Sequence, residues 1–171
     1  MAKRNRAMML GSIGAGKSTL THALLGYKAK ALKTQSLTYE DWIVDTPGEY
    51  TENPMFYKNI MATSLEVTHV LFIQDATKKK VIFPPGFSKG LNKLPIGIVS
   101  KADDERADVN RAVEQLKKVI PNGPIVITSA LKRQGLVMIR DLVACSNLEE
   151  MKALTEGSRH EDVTFHEILY K

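Results

Sequence analysis

The octapeptide Gly11-Ser12-Ile13-Gly14-Ala15-Gly16-Lys17-Ser18 limits what this chain can become more than any other feature of it. It fits G-x-x-x-x-G-K-[ST] without exception, and it stands between a short apolar run, Ala7 to Leu10, and a helix-compatible stretch. In that context it is the turn from a β-strand into an α-helix. Its glycines let backbone N–H groups converge on the β-phosphate of a nucleotide at the helix N-terminus, where the dipole favours anions. Gly11, Ser12, Ile13, Gly14, Ala15, Gly16 and Thr19 form the expected cradle. Lys17 would reach the β and γ oxygens, and the Ser18 hydroxyl would coordinate Mg²⁺.

The rest of the chain supplies the matching architecture. Besides Ala7 to Leu10, the runs Trp42 to Val44, His69 to Ile73, Ile96 to Val99 and Ile125 to Ile127 are short, aliphatic and followed by polar or glycine residues. Strands buried on both faces have that pattern. Between them Val109, Ala112, Val113, Leu116 and Ile120, then Leu136, Ile139, Leu142 and Val143, recur near a 3.6 period. Strands alternating with amphipathic helices imply a parallel sheet with right-handed crossovers and a ligand site at the carboxyl ends of its strands. The expected fold is therefore α/β, a P-loop NTPase three-layer sandwich on a five-stranded parallel sheet. One domain is expected over 1–145, followed by a helical tail over 146–171.

Composition removes the competing classes. With 171 residues, 43% hydrophobic and 25% charged, the chain is neither disordered nor collagen-like, and the single Cys145 allows no internal disulfide. No apolar run approaches the roughly 18 residues of a membrane span, and Ala7 to Leu10 is too short for a signal-peptide core. A cytoplasmic protein is expected. The net charge of +5 is uneven, because residues 1–100 carry 13 Lys+Arg against 7 Asp+Glu. The basic stretches lack the interleaved aromatics of nucleic-acid binders, which leaves solvated lysines or a field that attracts a small polyanion.

Three further segments stand at strand ends. Asp45-Thr-Pro-Gly48 is D-x-x-G and follows Ser18 by 27 positions. A carboxylate there can hold Mg²⁺ through water, while the Gly48 N–H can bond a γ-phosphate. Ser100-Lys101-Ala102-Asp103 and Thr128-Ser129-Ala130 would fix the base. The Asp103 carboxylate suits the N1–H and N2–H₂ donors of guanine, whereas adenine offers no such pair and would leave it desolvated and unpaired. The Lys101 stem would cover one face of the base and the Ala130 N–H would meet guanine O6. GTP is the expected nucleotide, with ATP as the alternative.

These four elements, in this order over roughly residues 6–145, resemble the translation-factor-related small GTPases. Within that group Lys33-Thr34-Gln35, Asp45 to Tyr50 and Pro85-Gly86-Phe87 resemble the EutP/PduV branch, associated with ethanolamine and propanediol utilisation in bacteria. The resemblance implies that Thr34 is the switch threonine, completing a Mg²⁺ shell with Ser18 and Asp45. An ordinary loop threonine is the other reading, with Thr38 close by.

Several residues depart from the family pattern. Ser100 replaces Asn or Thr, which implies weaker nucleotide affinity without changed base choice. Glu49 stands where related enzymes carry a water-orienting glutamine; it is either a catalytic-site residue that makes hydrolysis slow or an exposed switch residue. Ile13 would crowd an arginine finger inserted in trans. Gly14 stands where potassium-activated relatives carry Asn. Only 11 positions separate Thr34 from Asp45, so one strand is expected there, the sheet order is 2-1-3-4-5, and the bare edge invites a homodimer.

Between the third and fourth strands, Lys78-Lys79-Lys80, Pro84-Pro85-Gly86 and Lys89 replace a long helix. If that loop lies near the phosphates, its lysines could hold a small carboxylate, such as acetate, in line for phosphoryl transfer; a merely solvated loop is the other reading. His22, His69, Cys145 and Trp42 read as structural, and Asp75 as a loop cap or a site carboxylate. In the tail, Leu148, Met151 and Leu154 suit one helix, and Phe165, Ile168 and Leu169 another. The tail either docks on the domain or binds a partner such as a microcompartment shell.

Overall fold

A computed structural model describes residues 4–26 and 37–168. Five parallel strands form the centre of one sheet: β1 (Ala7–Leu10), β3 (Ile43–Asp45), β4 (His69–Asp75), β5 (Leu94–Ser100) and β6 (Asn122–Ile127). Their spatial order, β3-β1-β4-β5-β6, is the expected 2-1-3-4-5. The period-two alternation of each strand divides the core into two layers. Met9, Leu71, Ile73, Ile96 and Ile98 face one side, against Leu20 and Leu24 of α1 (Lys17–Leu25) and Ile139 and Leu142 of α6 (Leu136–Val143). Met8, Leu10, Val70 and Phe72 face the other, against Ile60 of α3 (Tyr57–Ser64) and Leu116 of α5 (Val109–Val119). Burying each of these large side chains contributes about 1.5–3 kcal/mol.

Among the described residues the sheet has seven strands rather than five. β2 (Thr38–Glu40) pairs antiparallel with β3, so the edge expected to be bare is covered. Two turn residues suffice for this hairpin, with Asp41 at φ 54°, a left-handed conformation that aspartate tolerates. At the other edge β7 (Val163–Glu167) pairs antiparallel with β6 where the spacing of Phe165 and Ile168 suggests a helix. Alternation wins there: Val163 is buried and Thr164 is exposed. The helix expected around Met151 is α7 (Leu148–Gly157), capped by Asn147 Oδ1 accepting from Glu150 N at 2.8 Å.

The segment after β4 is held by aromatic packing. Phe83 meets Phe72 edge-on at 5.4 Å between ring centroids and stacks near Phe87 at 6.1 Å, while Pro84-Pro85-Gly86 leaves only the five-residue α4 (Phe87–Leu91). Its course corrects one expectation. Lys78, Lys79 and Lys80 are exposed just beyond the carboxyl end of β4, but Lys89 does not lie near the phosphate loop. With Lys93 it lines a cavity of about 610 Å³ beside His69, Leu94 and Asn122, at the amino ends of β4, β5 and β6. Lys89 therefore takes no part in a site at the phosphate loop.

Candidate nucleotide site

The loop between β1 and α1 has the shape its glycines permit. Gly14 and Gly16 sit at φ 79° and 97°, in the left-handed region where a side chain is disfavoured. Gly11 packs against β4, where a Cβ would lie 3.2 Å from the Ile73 carbonyl oxygen. The Lys17 ammonium donates to the carbonyls of Gly11 and Ser12, both at 3.0 Å, and is buried inside its own loop. Burial lowers its pKa; the charges of Asp45 and Glu52 oppose that shift.

The end of β3 closes on this loop. Thr46 Oγ1 donates to Met9 O at 2.6 Å, which pins the segment after Asp45 to β1. Ser18 Oγ donates to Asp45 Oδ2 at 2.8 Å. A hydroxyl and a buried carboxylate brought that close are a hard-oxygen pair, the donor chemistry that Mg²⁺ requires. Gly48 lies directly against Ile13, and Glu49 is exposed at the start of α2 (Glu49–Glu52).

The third side comes from the ends of β5 and β6. Ser100 Oγ donates to Ala15 O at 2.7 Å, so this serine ties the end of β5 to the loop after β1 despite its short reach. Ala102 N donates to Thr128 O at 3.0 Å and joins the turns that follow β5 and β6. Lys101 has φ 59°, and its ammonium donates to Gly14 O at 2.6 Å and to Asp75 Oδ2 at 2.9 Å. Between these elements opens a cavity of about 350 Å³, lined by Gly16, Thr19, Lys101, Asp103, Ala130 and Leu131 among others. Ser129 is fully buried, and its Oγ accepts from Lys132 N at 3.1 Å, which shapes the turn that presents Ala130.

Residues Gly11 to Thr19, Asp45, Gly48, Ser100, Lys101, Asp103, Ser129 and Ala130 thus converge at the carboxyl ends of β1, β3, β5 and β6. Thr34 lies outside the described residues. Sequence reasoning missed Leu131, which is 84% exposed and lines the same cavity. Its position directly after Thr128-Ser129-Ala130 was the available signal. Asp75 is a loop cap, with Oδ1 accepting from Thr77 N at 2.8 Å and Thr77 Oγ1 at 2.6 Å, and also the anchor of Lys101.

Comparison with known proteins identifies the family and the fold. Residues 4–145 match the PduV-EutP family, described as ethanolamine utilisation - propanediol utilisation. The chain is 30% identical over 151 residues to the propanediol utilization protein PduV of Citrobacter freundii, covering 88% of this chain and 99% of the relative. It is 31% identical over 150 residues to "Probable acetate kinase EutP" of Salmonella typhimurium, covering 86% and 94%. Among solved structures, the bacterial selenocysteine-specific elongation factor EF-Sec matches with a TM-score of 0.61 and 22% identity, over 92% of this chain and 30% of that one. A variant of Era from Aquifex aeolicus, bound to GDP.AlF4-, matches at 0.60 and 24%, over 88% and 57%. This chain spans less than two thirds of either structure, and the likeness shows the fold they share.

Proposed function

This chain belongs to the PduV-EutP family of ethanolamine and propanediol utilisation, and from that premise we propose that it binds a guanine nucleotide with Mg²⁺ and hydrolyses GTP slowly. The observation that carries the reading is the juxtaposition at one end of the sheet. A cavity lined by Asp103 opens beside a phosphate loop whose Ser18 meets Asp45 at 2.8 Å.

Each residue has a defined task. Lys17 leaves the carbonyls of Gly11 and Ser12 to meet the β and γ oxygens, exchanging two neutral acceptors for charged ones. Loop N–H groups from Ser12 to Ser18 hold the β-phosphate. Ser18 and Asp45, with Thr34 from the segment before β2, would hold Mg²⁺, which supplies charge neutralisation to the phosphates. Asp103 reads N1–H and N2–H₂ of guanine, and Leu131 and the Lys101 stem enclose its faces. Glu49 can accept from the attacking water but cannot donate to a phosphate, which makes hydrolysis slow. The nucleotide partner accounts for the basic surplus in residues 1–100, and no helix among the described residues is long and apolar enough to cross a membrane.

A second reading, transfer of the γ-phosphoryl group to a small carboxylate such as acetate, is favoured by the name of the Salmonella relative. Lys78, Lys79 and Lys80 are exposed just beyond Asp75 and would supply the positive charge to hold the acceptor. A carboxylate acceptor is already ionised at neutral pH and needs positioning rather than a general base. We place the protein in the bacterial cytoplasm, alongside a microcompartment. Incubation with GTP or ATP, with and without acetate, tests both readings by following phosphate release and acyl phosphate. Slow phosphate release from GTP, absent in Lys17→Ala, supports the first; acetate-dependent acyl phosphate, also absent in Lys17→Ala, supports the second.

A further inference from the structure

Asp75 belongs to none of the nucleotide motifs, yet we propose that it is a positioning residue of the site. It clamps the Lys101 ammonium against Gly14 so that the Lys101 stem forms a preset wall of the base cavity. This rests on the guanine-nucleotide reading above and adds a residue to it.

The geometry is direct. Asp75 ends β4 and pairs in register with Ser100 at the end of β5, which places its carboxylate beside the base-reading turn. The side chain is 2% exposed. One oxygen is occupied by the Thr77 amide and hydroxyl, and the other accepts from Lys101 Nζ at 2.9 Å. Burial alone would raise the pKa of Asp75, but the bonds from Thr77 and Lys101 outweigh it and hold the carboxyl below its ordinary range. Lys101 itself is 37% exposed and takes a left-handed backbone conformation that a lysine seldom adopts. A lysine stem at the mouth of a cavity would otherwise sample several rotamers and point its charge to water. Here both ends are fixed, the backbone by β5 and the ammonium by Asp75 and Gly14. The stem crosses Gly16, where a Cβ would lie 3.8 Å from Lys101 Cε. A wall ordered before the ligand arrives lowers the entropy lost on binding.

Asp75 could instead serve only as the cap of the turn at Thr77. Asp75→Asn separates the roles, because it keeps an acceptor for Thr77 while removing the charge that holds Lys101. GDP affinity is measured by titration in four proteins: wild type, Asp75→Asn, Lys101→Met and the double variant, with thermal unfolding of each. The proposal expects Asp75→Asn to weaken GDP about tenfold in the wild-type background and to change nothing when Lys101 is already Met. It also expects Thr77→Val, which removes only a cap bond, to leave GDP affinity unchanged. Equal losses in both backgrounds, or a fall in melting temperature with GDP affinity intact, would overturn it. Asp75→Ser, which also keeps a turn acceptor, takes its place if the Asn variant does not fold. A wild-type protein that binds no GDP fails the underlying reading and takes this inference with it.

Discussion

The backbones of Gly48 and Ile13 are in direct contact: a methyl group added to Gly48 would lie 2.5 Å from the Ile13 amide nitrogen and 2.6 Å from its Cα. No side-chain rotation relieves an overlap with backbone, so the phosphate loop itself would have to move. Gly48→Ala is expected to cost about 1–3 kcal/mol of stability through overpacking. GDP affinity should also fall at least tenfold, as read by titration. Normal GDP affinity in this variant would mean that the contact is not kept in solution.

Ser100 links the two halves of the site through one bond to Ala15 O at 2.7 Å. Ser100→Ala leaves that buried carbonyl without the hydroxyl, a loss of about 1–3 kcal/mol. Calorimetric titration should show weaker binding of every nucleotide, with the ratio of guanine to adenine affinity unchanged. A changed ratio would assign Ser100 a part in base reading.

Glu49 is exposed at the first turn of α2, next to the glycine that contacts the phosphate loop. Glu49→Gln keeps the size, removes the negative charge and adds a donor, which on the proposed reading relieves repulsion of the γ-phosphate. Single-turnover GTP hydrolysis should rise several-fold, on the order of 1 kcal/mol in the barrier. An unchanged rate would assign Glu49 to a switch surface with no catalytic part.

His69 is fully buried at the start of β4, and burial lowers its pKa, with the carbonyls of Cys145 and Leu142 opposing. A depressed histidine contributes stability that is present above its unfolded value near 6.5 and lost as pH falls through the folded value. Between the two values the unfolded chain takes up a proton that the folded chain resists. The melting temperature should drop between pH 7.5 and 5.5, and His69→Asn should flatten that part of the profile.

The central sheet and most of the site were legible in the sequence because strong local rules fix them. Gly14 and Gly16 are needed at left-handed backbone positions, and residues such as Leu71, Phe72 and Ile73 are buried on both faces of one sheet. The edges were less legible. A three-residue strand such as Thr38–Glu40 has no periodicity to detect, and Phe165 with Ile168 fits a helical spacing as well as it fits β7. The place of Lys89 is not legible locally, because it depends on where the chain turns back, a course set by the packing of Phe83 and Phe87 on Phe72. Asp75 was ambiguous because its second partner, Lys101, is 26 positions away.

The most direct test of guanine recognition compares GDP and ADP by titration on the wild-type protein and on Asp103→Asn. Asparagine presents one acceptor and one donor where aspartate presents two acceptors, which suits the N1–H and 2-oxo group of xanthine instead of the two donors of guanine. Wild type is expected to bind GDP at least about a hundredfold more tightly than ADP, and Asp103→Asn to lose GDP while gaining affinity for xanthosine diphosphate. ADP bound as tightly as GDP by wild type, with Asp103→Asn indifferent to the base, would contradict guanine recognition.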